Sequence, residues 1–207
     1  MSTYGIFENK KNNKKLVFYP CAKNANTSAK LFFLKHLGIE NKFIFLSDKI
    51  PKYKQTKNQF LGKKNLNLFL SSKKPFSIIN ADYKCCIIRH PIDRFLSAYK
   101  NRILFHKDKK FGDHTIDMIL KKLENGLFEN RHFLPQTYFL GDSLNYYTFY
   151  SDLKNIKYFE EKVNEFFGKK IEFPKLQIGG KEFDIKLSTQ QINKIEKIYA
   201  KDFKLIK

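Results

Sequence analysis

Cysteine, tryptophan and long apolar runs are scarce in this 207-residue sequence, which has three cysteines and no tryptophan. Cys85 and Cys86 are adjacent, so the three cysteines cannot form an even disulfide framework, and no CxxC spacing indicates a zinc site. No apolar run reaches the roughly 18 residues of a membrane-spanning helix, and residues 1–15 lack the apolar core of a signal peptide. We therefore predict one cytoplasmic, metal-free domain over residues 1–207, with a disordered or loosely attached segment 1–15.

Arginine is also scarce, although the chain is strongly basic. The formal net charge is +20, yet only four of the 40 basic residues are arginine. Lysine is spread along the whole chain, as on a solvated surface, although a cationic chain rich in Phe and Tyr also fits a nucleic-acid or other polyanion-binding module. The arginines all lie between positions 89 and 131. Because a guanidinium group binds phosphate in a bidentate geometry that lysine cannot reproduce, this window indicates an anion site.

Short apolar runs that alternate with amphipathic segments predict an α/β fold. Strands are predicted at 16–19, 43–46, 77–80 and 85–88, and the segment 47–74 is predicted to be a loop with one short helix. Helices are predicted at 27–37, 91–104, 116–123, 158–167 and 189–202. The nearly all-apolar strand 85–88 is typical of a parallel strand buried on both faces. We expect a central, mostly parallel sheet flanked by helices.

The first candidate anion site is the segment 20–30, PCAKNANTSAK, between the strand 16–19 and the helix 27–37. The amino end of a helix presents backbone N–H groups and a positive dipole end, to which Thr27 and Ser28 add hydroxyls and Lys23 adds a cation. The glycines of a GxxxxGK[ST] loop are missing, which disfavours a magnesium-dependent kinase or other nucleoside triphosphatase. An ordinary helix cap surrounded by solvated lysines is the alternative.

The second candidate site is the segment 85–102, CCIIRHPIDRFLSAYKNR. Arg89 follows the buried strand, and Ser97 lies two turns into the next helix. Both belong to the carboxyl end of a parallel strand, where open α/β sheets bind their ligands. In the alternative interpretation, Arg89 pairs with a carboxylate such as Asp93 and Ser97 faces solvent.

The two segments together resemble the donor-binding motifs of sulfotransferases that use 3′-phosphoadenosine-5′-phosphosulfate (PAPS), most closely the carbohydrate group, sulfotransferase family 2. Members read PKxxCTSxK and RHPxxRxxSAYxN where this chain has CAKNANTSAK and RHPIDRFLSAYKN. Ala22 and Asn26 replace the usual proline and the usual cysteine or serine of the first motif. The segments RHFLPQTYFL (131–140) and YAKDFKLI (199–206) are similar to the family's HWxPQ and YxxDF segments.

The resemblance implies a P-loop-like fold, PAPS as the donor and no metal. Four loop residues would hold the 5′-phosphosulfate: Lys23, Asn26, Thr27 and Ser28. Arg89 and Ser97 would hold the 3′-phosphate, and Lys23 is also the candidate that stabilises charge on the leaving oxygen.

The acceptor hydroxyl needs a general base, for which histidine and glutamate are the natural candidates. We expect His132, in the HFLPQ segment, to be this base. His114 and a carboxylate such as Glu124 are alternatives, and His132 could instead only anchor its loop against Pro135 and Gln136. The expected acceptor is a glycan or glycolipid, with no specific nucleic acid. The net charge also suits an anionic membrane surface that carries a lipid-linked sugar.

Overall fold

In the part of the chain that the structure describes, five strands form the central sheet. The computed structural model describes residues 2–9, 11–38, 69–72, 76–108, 111, 113–175 and 183–206. The strands are β1 (Ser2–Asn9), β2 (Lys14–Tyr19), β3 (Phe69–Ser72), β4 (Tyr83–Ile88) and β5 (Phe149–Asp152), in the spatial order β3-β1-β2-β4-β5. β2, β4 and β5 pair in parallel, whereas β1 is antiparallel to both β2 and β3. Every described strand except β1 therefore runs in one direction, and the predicted α/β class with a mostly parallel sheet is confirmed.

The amino-terminal strand β1 corrects the expectation that segment 1–15 is loosely attached. β1 pairs with β2 from Gly5 opposite Phe18 to Asn9 opposite Lys14. The side chain of Phe7 is buried and stacks on Phe33 with ring centroids 4.2 Å apart. The prediction failed because it weighed the polar, lysine-rich composition of this segment and not its few aromatic residues, whose burial stabilises the strand.

Neither of the two strands predicted between β2 and β4 is confirmed. The predicted strand 43–46 lies outside the described residues, and the predicted strand 77–80 is wrong because that segment is irregular. The Tyr146 hydroxyl accepts a hydrogen bond from the Ile79 N–H (2.9 Å) and donates one to the Ile79 carbonyl (3.1 Å), so a side chain takes the place of a strand partner. Within 47–74, predicted to be loop, residues Phe69–Ser72 form β3 by pairing with β1.

The parallel strands β2 and β4 are buried on both faces of the sheet. Their last four residues are all buried, and alternate positions belong to different clusters. Phe18 and Ile87 pack on one face, whereas Tyr19 and Ile88 pack on the other. Because successive side chains of a strand point to opposite faces, this pattern places helices or loops over both sides. The carboxyl ends of these two strands are consequently fixed side by side.

Seven α-helices surround the sheet in the described part of the chain. They are α1 (Asn26–His36), α2 (Pro91–Tyr99), α3 (Ile116–Glu124), α4 (Gln136–Leu140), α5 (Ile156–Phe167), α6 (Thr189–Ile198) and α7 (Ala200–Leu205). The predicted helices 27–37, 116–123 and 158–167 are confirmed to within two residues at each end. The other two differ in ways that shape the site. The helix predicted at 91–104 becomes a π-helix over Lys100–Phe105, and the one predicted at 189–202 breaks at Tyr199.

The break at Tyr199 has a tertiary cause. The Tyr199 hydroxyl is buried and donates a hydrogen bond to the Phe133 carbonyl (2.6 Å). After the break, the fully buried carboxylate of Asp202 accepts hydrogen bonds from the backbone N–H groups of Gln136 (2.6 Å) and Thr137 (2.9 Å). These N–H groups lie in the first turn of α4, so the carboxylate supplies acceptors that a helix amino end otherwise lacks. The carboxyl-terminal helices thereby hold α4 beside the sheet.

Candidate active site

The loop between β2 and α1 is wound unusually tightly. Lys23 and Ala25 have positive φ angles of 69° and 50°, and Ala25 is the residue that precedes the first turn of α1. Left-handed backbone costs about 1 kcal/mol or more for a non-glycine residue, and such residues concentrate at binding sites. The residue at the cap position is alanine, whose side chain cannot accept a hydrogen bond from the first turn of α1. The loop thus presents the positive end of a helix dipole beside the Lys23 side chain, an arrangement suited to an anion.

Arg89 joins this loop to the second motif. It follows β4, and its Nη1 donates a hydrogen bond to the Lys23 carbonyl oxygen (3.0 Å). No ion pair between Arg89 and a carboxylate is found in the described part of the chain. Burial lowers the pKa of Arg89, and the nearby charge of Asp93 opposes this effect only in part. The two segments predicted separately from the sequence therefore form one structure at the carboxyl ends of neighbouring parallel strands.

Two buried amides lock the loop onto β4. The Gln136 side-chain oxygen accepts hydrogen bonds from the Arg89 backbone N–H (2.9 Å) and from Asn24 Nδ2 (2.7 Å). Gln136 Nε2 donates to the Arg89 carbonyl (2.7 Å), and Asn24 Nδ2 also donates to the Ile87 carbonyl (2.8 Å). Gln136 is fully buried and Asn24 is 1% exposed. Sequence reasoning missed Asn24, whereas the position of Gln136 in the HFLPQ segment was the signal available for it.

Arg94 is the buried cation that connects the loop to the segment around His132. It is 1% exposed and has no ion-pair partner among the described residues. Its Nε donates to the Ala22 carbonyl (3.0 Å), and its Nη2 donates to the carbonyls of Leu134 (2.6 Å) and His132 (3.4 Å). Three carbonyls satisfy the planar guanidinium where a lysine would reach fewer of them. Arg94 therefore fixes the loop after β2 relative to the segment around His132.

The electrostatic effects on Lys23 reveal a strongly cationic region. Burial, followed by the charges of Arg89, Arg102 and Arg94, lowers the pKa of Lys23 to about 8. Like charges raise the free energy of the protonated form, so these three arginines add to the effect of burial on the Lys23 ammonium group. An anion bound among them would remove much of this repulsion.

His132 lies in the same cationic region as Lys23. Burial lowers its pKa to about 3, with further contributions from Arg102, Lys23, Arg131 and Arg94. The ring is therefore neutral at physiological pH. Its Nδ1 is 2.6 Å from the Asn130 side-chain oxygen. All four arginines, grouped in the sequence between 89 and 131, act on Lys23 or His132 in the folded chain.

The other candidate residues from the sequence lie on or beside helices α1, α2 and α3. Asn26, Thr27 and Ser28 form the first turn of α1, and the Asn26 side-chain oxygen is buried without a hydrogen-bond partner in the described part of the chain. Ser97 is half-buried on the second turn of α2. Of the alternative bases, Glu124 is exposed at the end of α3, and His114 packs edge-on against Phe111.

The chain belongs to the sulfotransferase family. The family model matches residues 9–207, nearly the whole chain, and includes every candidate residue named above. The α/β, P-loop-like fold class agrees with this membership, and the protein is a sulfotransferase. Searches of curated proteins and of solved structures found no match.

Within the described ranges, no helix is long and apolar enough to cross a membrane. In the same ranges, no group of three or more His, Cys, Asp or Glu side chains is arranged to hold a metal ion.

Proposed function

We propose that this sulfotransferase takes its sulfuryl group from PAPS and transfers it to a hydroxyl of a glycan or glycolipid. The observation that carries the donor assignment is the Arg89–Lys23 hydrogen bond, which joins the two candidate anion-binding segments in one cationic region. PAPS has two separated anionic groups, the 5′-phosphosulfate and the 3′-phosphate. A donor of this kind needs two neighbouring anion sites at strand ends, and that is the arrangement of these two segments.

The residues present fit such a donor. In the proposed assignment, Lys23, Asn26, Thr27 and Ser28 hold the phosphosulfate, and Arg89 and Ser97 hold the 3′-phosphate. The Arg102 Nε is buried and has no hydrogen-bond partner among the described residues, so the region retains an unused donor as well as excess positive charge. Both features favour an anionic ligand, because a buried donor without an acceptor costs about 1–3 kcal/mol.

Lys23 and His132 have complementary roles in this proposal. When bound, PAPS supplies the sulfuryl group, and the bond between sulfur and the phosphate oxygen breaks as the acceptor oxygen bonds to sulfur. The Lys23 ammonium would stabilise negative charge on the leaving oxygen. His132 is neutral at physiological pH, the protonation state that a base requires, and would take the proton of the acceptor hydroxyl. Negative charge from the donor would raise the basicity of His132 by offsetting the cations that lower its pKa.

The acceptor class rests on the family resemblance and on the charge of the protein. A formal charge of +20 suits an anionic glycan, or a lipid-linked sugar at an anionic membrane surface. Lysine spread over a solvated surface accounts for the same charge without any partner. The acceptor must therefore be tested by product analysis.

Donor binding is the first experiment. Calorimetric titration with adenosine 3′,5′-bisphosphate (PAP) should give saturable binding that weakens at least about tenfold in Arg89→Ala, since a charge-assisted hydrogen bond contributes about 1.5–3 kcal/mol. Lys121→Ala, which removes an exposed cation on α3, is the matched control and should bind as the wild type does. Stabilisation by ATP with magnesium but not by PAP would instead favour a kinase-like enzyme. Salt-sensitive oligonucleotide binding without affinity for PAP would favour a polyanion-binding module.

Transfer is the second experiment. Labelled PAPS should be incubated with a panel of glycans, glycolipids and phenols, and the mass of each product should be measured. We expect a mass increase of one sulfuryl group on a sugar acceptor and a loss of turnover, with PAP binding retained, in His132→Ala. Full turnover of His132→Ala would exclude His132 as the base.

A further inference from the structure

A chain of hydrogen-bonded polar side chains runs away from His132, and we call it the Asp108 network: Arg102, Asp108, Asn130 and His132. His132 Nδ1 lies 2.6 Å from Asn130 Oδ1, and Asn130 Nδ2 donates to Asp108 Oδ2 (3.0 Å). The same carboxylate oxygen accepts a hydrogen bond from Arg102 Nη2 (2.7 Å). Asp108 therefore links the segment that carries His132 to the π-helix that carries Arg102.

The network determines which way the Asn130 amide points. Its oxygen accepts from the His132 backbone N–H (3.0 Å), and its nitrogen faces a carboxylate, which can only accept when ionised. The opposite orientation would place a carbonyl oxygen against the carboxylate and an NH₂ group against an N–H. With the amide in the observed orientation, the atom that faces His132 Nδ1 is an acceptor. His132 Nδ1 must then carry the hydrogen, and Nε2 is left with the lone pair.

The same Asp108 carboxylate also positions Arg102. It lies within the π-helix, and the backbone N–H of Asp108 donates to the Arg102 carbonyl (2.9 Å) in addition to the side-chain ion pair. The wider π turn interrupts the regular helix predicted at 91–104 and is a feature often found at functional sites. After burial, Arg102 makes the largest contribution to lowering the pKa of His132, and it also lowers that of Lys23. The guanidinium thus lies close to both proposed reactive groups.

We propose that Asp108 and Asn130 are positioning residues that hold His132 in its Nδ1–H tautomer and hold Arg102 beside it, so that Nε2 is the basic atom. This inference rests on the proposed role of His132 as the general base. An amide, rather than a carboxylate, contacts the ring, so the network orients the imidazole without placing a negative charge against it. In the Ser-His-Asp arrangement a carboxylate takes this place and stabilises the imidazolium. Here the charge is one residue further away, on Asp108, where it is shared with Arg102.

Nuclear magnetic resonance of protein labelled in its histidines tests the tautomer directly. His132→Gln assigns the His132 signals, and the ring ¹⁵N and ¹³Cδ2 shifts distinguish Nδ1–H from Nε2–H. We expect Nδ1–H in the wild type and a mixture of tautomers in Asn130→Ala. An Nε2–H wild type would overturn the inference without any variant.

Kinetics test the consequence. Asn130→Ala should lower kcat about 10- to 100-fold, the range typical of residues that orient a reactive ligand, with PAP affinity unchanged within about twofold. The double variant Asn130→Asp with Asp108→Asn keeps an acceptor against His132 Nδ1 and a hydrogen bond between positions 130 and 108, but it gives up the hydrogen bond from Arg102 to position 108. It should retain the Nδ1–H tautomer. Glu129→Gln removes a neighbouring carboxylate that pairs only with Lys122 among the described residues, and it should leave kcat unchanged.

The two readouts separate this inference from the proposed function. A wild-type Nδ1–H signal that is lost in Asn130→Ala, in a protein that transfers no sulfuryl group from PAPS, would uphold the network and refute the donor assignment. Transfer from PAPS with kcat unchanged in Asn130→Ala, or with the tautomer unchanged in that variant, would refute the network alone. If Asn130→Ala does not fold, the wild-type tautomer and the exchanged double variant decide the question.

Discussion

Replacing Lys23 with methionine should stabilise the donor-free protein while weakening donor binding. The pKa of Lys23 falls from its ordinary value of 10.5 to about 8 because of burial and the nearby charges of Arg89, Arg102 and Arg94. At about 1.4 kcal/mol per pKa unit, holding the ammonium charged in the fold costs about 3 kcal/mol. Methionine keeps most of the apolar stem and is itself not glycine, so the left-handed backbone at this position is equally strained in both proteins.

Part of this free energy is screened because Lys23 is not fully buried. We expect a gain of about 1–2 kcal/mol in the free energy of unfolding at pH 7, which corresponds to a rise in Tm of about 3–6 °C for a chain of this size. The loss of one charge-assisted contact should weaken PAP binding about 10- to 100-fold. A variant that is more stable yet binds less well is what a site strained for function predicts.

The pH dependence supplies the refutation. A depressed lysine pKa means that the unfolded chain binds more protons than the folded chain between pH 8 and 10.5, so the stability of the wild type rises over that window. The advantage of Lys23→Met should therefore be complete below pH 8 and vanish towards pH 10.5, as measured by urea unfolding at each pH. An advantage that persists at pH 10.5, or a variant less stable than the wild type at pH 7, would refute the electrostatic reasoning.

Three further predictions concern the framework of the site and the core. Arg94→Lys should lower the free energy of unfolding, measured with urea, by about 2–4 kcal/mol, because a buried ammonium cannot satisfy the carbonyls that Arg94 binds. Arg131→Lys, at an exposed position, is the control. Burial and the charge of Lys169 lower the pKa of His36 to about 4, so the free energy of unfolding of the wild type should fall by about 2–3 kcal/mol from pH 6.5 to 4. His36→Phe should abolish that slope. An unchanged slope would assign the acid sensitivity to other groups. Gly141→Ala should lower Tm more than Gly168→Ala does. The added Cβ at Gly141, where φ is 79°, would lie 3.0 Å from the Phe76 ring, whereas a Cβ at Gly168 would meet nothing within 4 Å. Equal losses in Tm would contradict this clash.

Much of the candidate site could be predicted from the sequence because its two halves are local units. A buried strand followed by a turn and an amphipathic helix is written in consecutive residues, and the parallel sheet places the ends of such units at one edge. Lys23 and Arg89 could therefore be named before any contact between them was known. The helices 27–37 and 116–123 were recoverable for the same reason, since their periodicity is local.

Strand pairing could be predicted less well. β3 is a strand because it pairs with β1 across more than sixty positions of sequence, and β1 pairs with both β2 and β3. Neither β1 nor β3 has the alternation or the apolar run that indicates a strand on its own. Conversely, the apolar segment 77–80 looks like a strand but finds a tyrosine hydroxyl in place of a neighbour. The partner that the fold brings to each segment, rather than its intrinsic preference, decided whether it became a strand.

The sequence by itself determined the α/β class, the basic character of the chain and the residues able to bind anions, because these follow from local pattern and side-chain chemistry. Only the tertiary structure decided which carbonyls satisfy Arg94, how Gln136 meets Asn24 across 112 positions, and how Asp108 comes to stand behind His132. The reason is physical: a buried polar group must find a partner wherever the fold brings one, and no local period in the sequence records that choice.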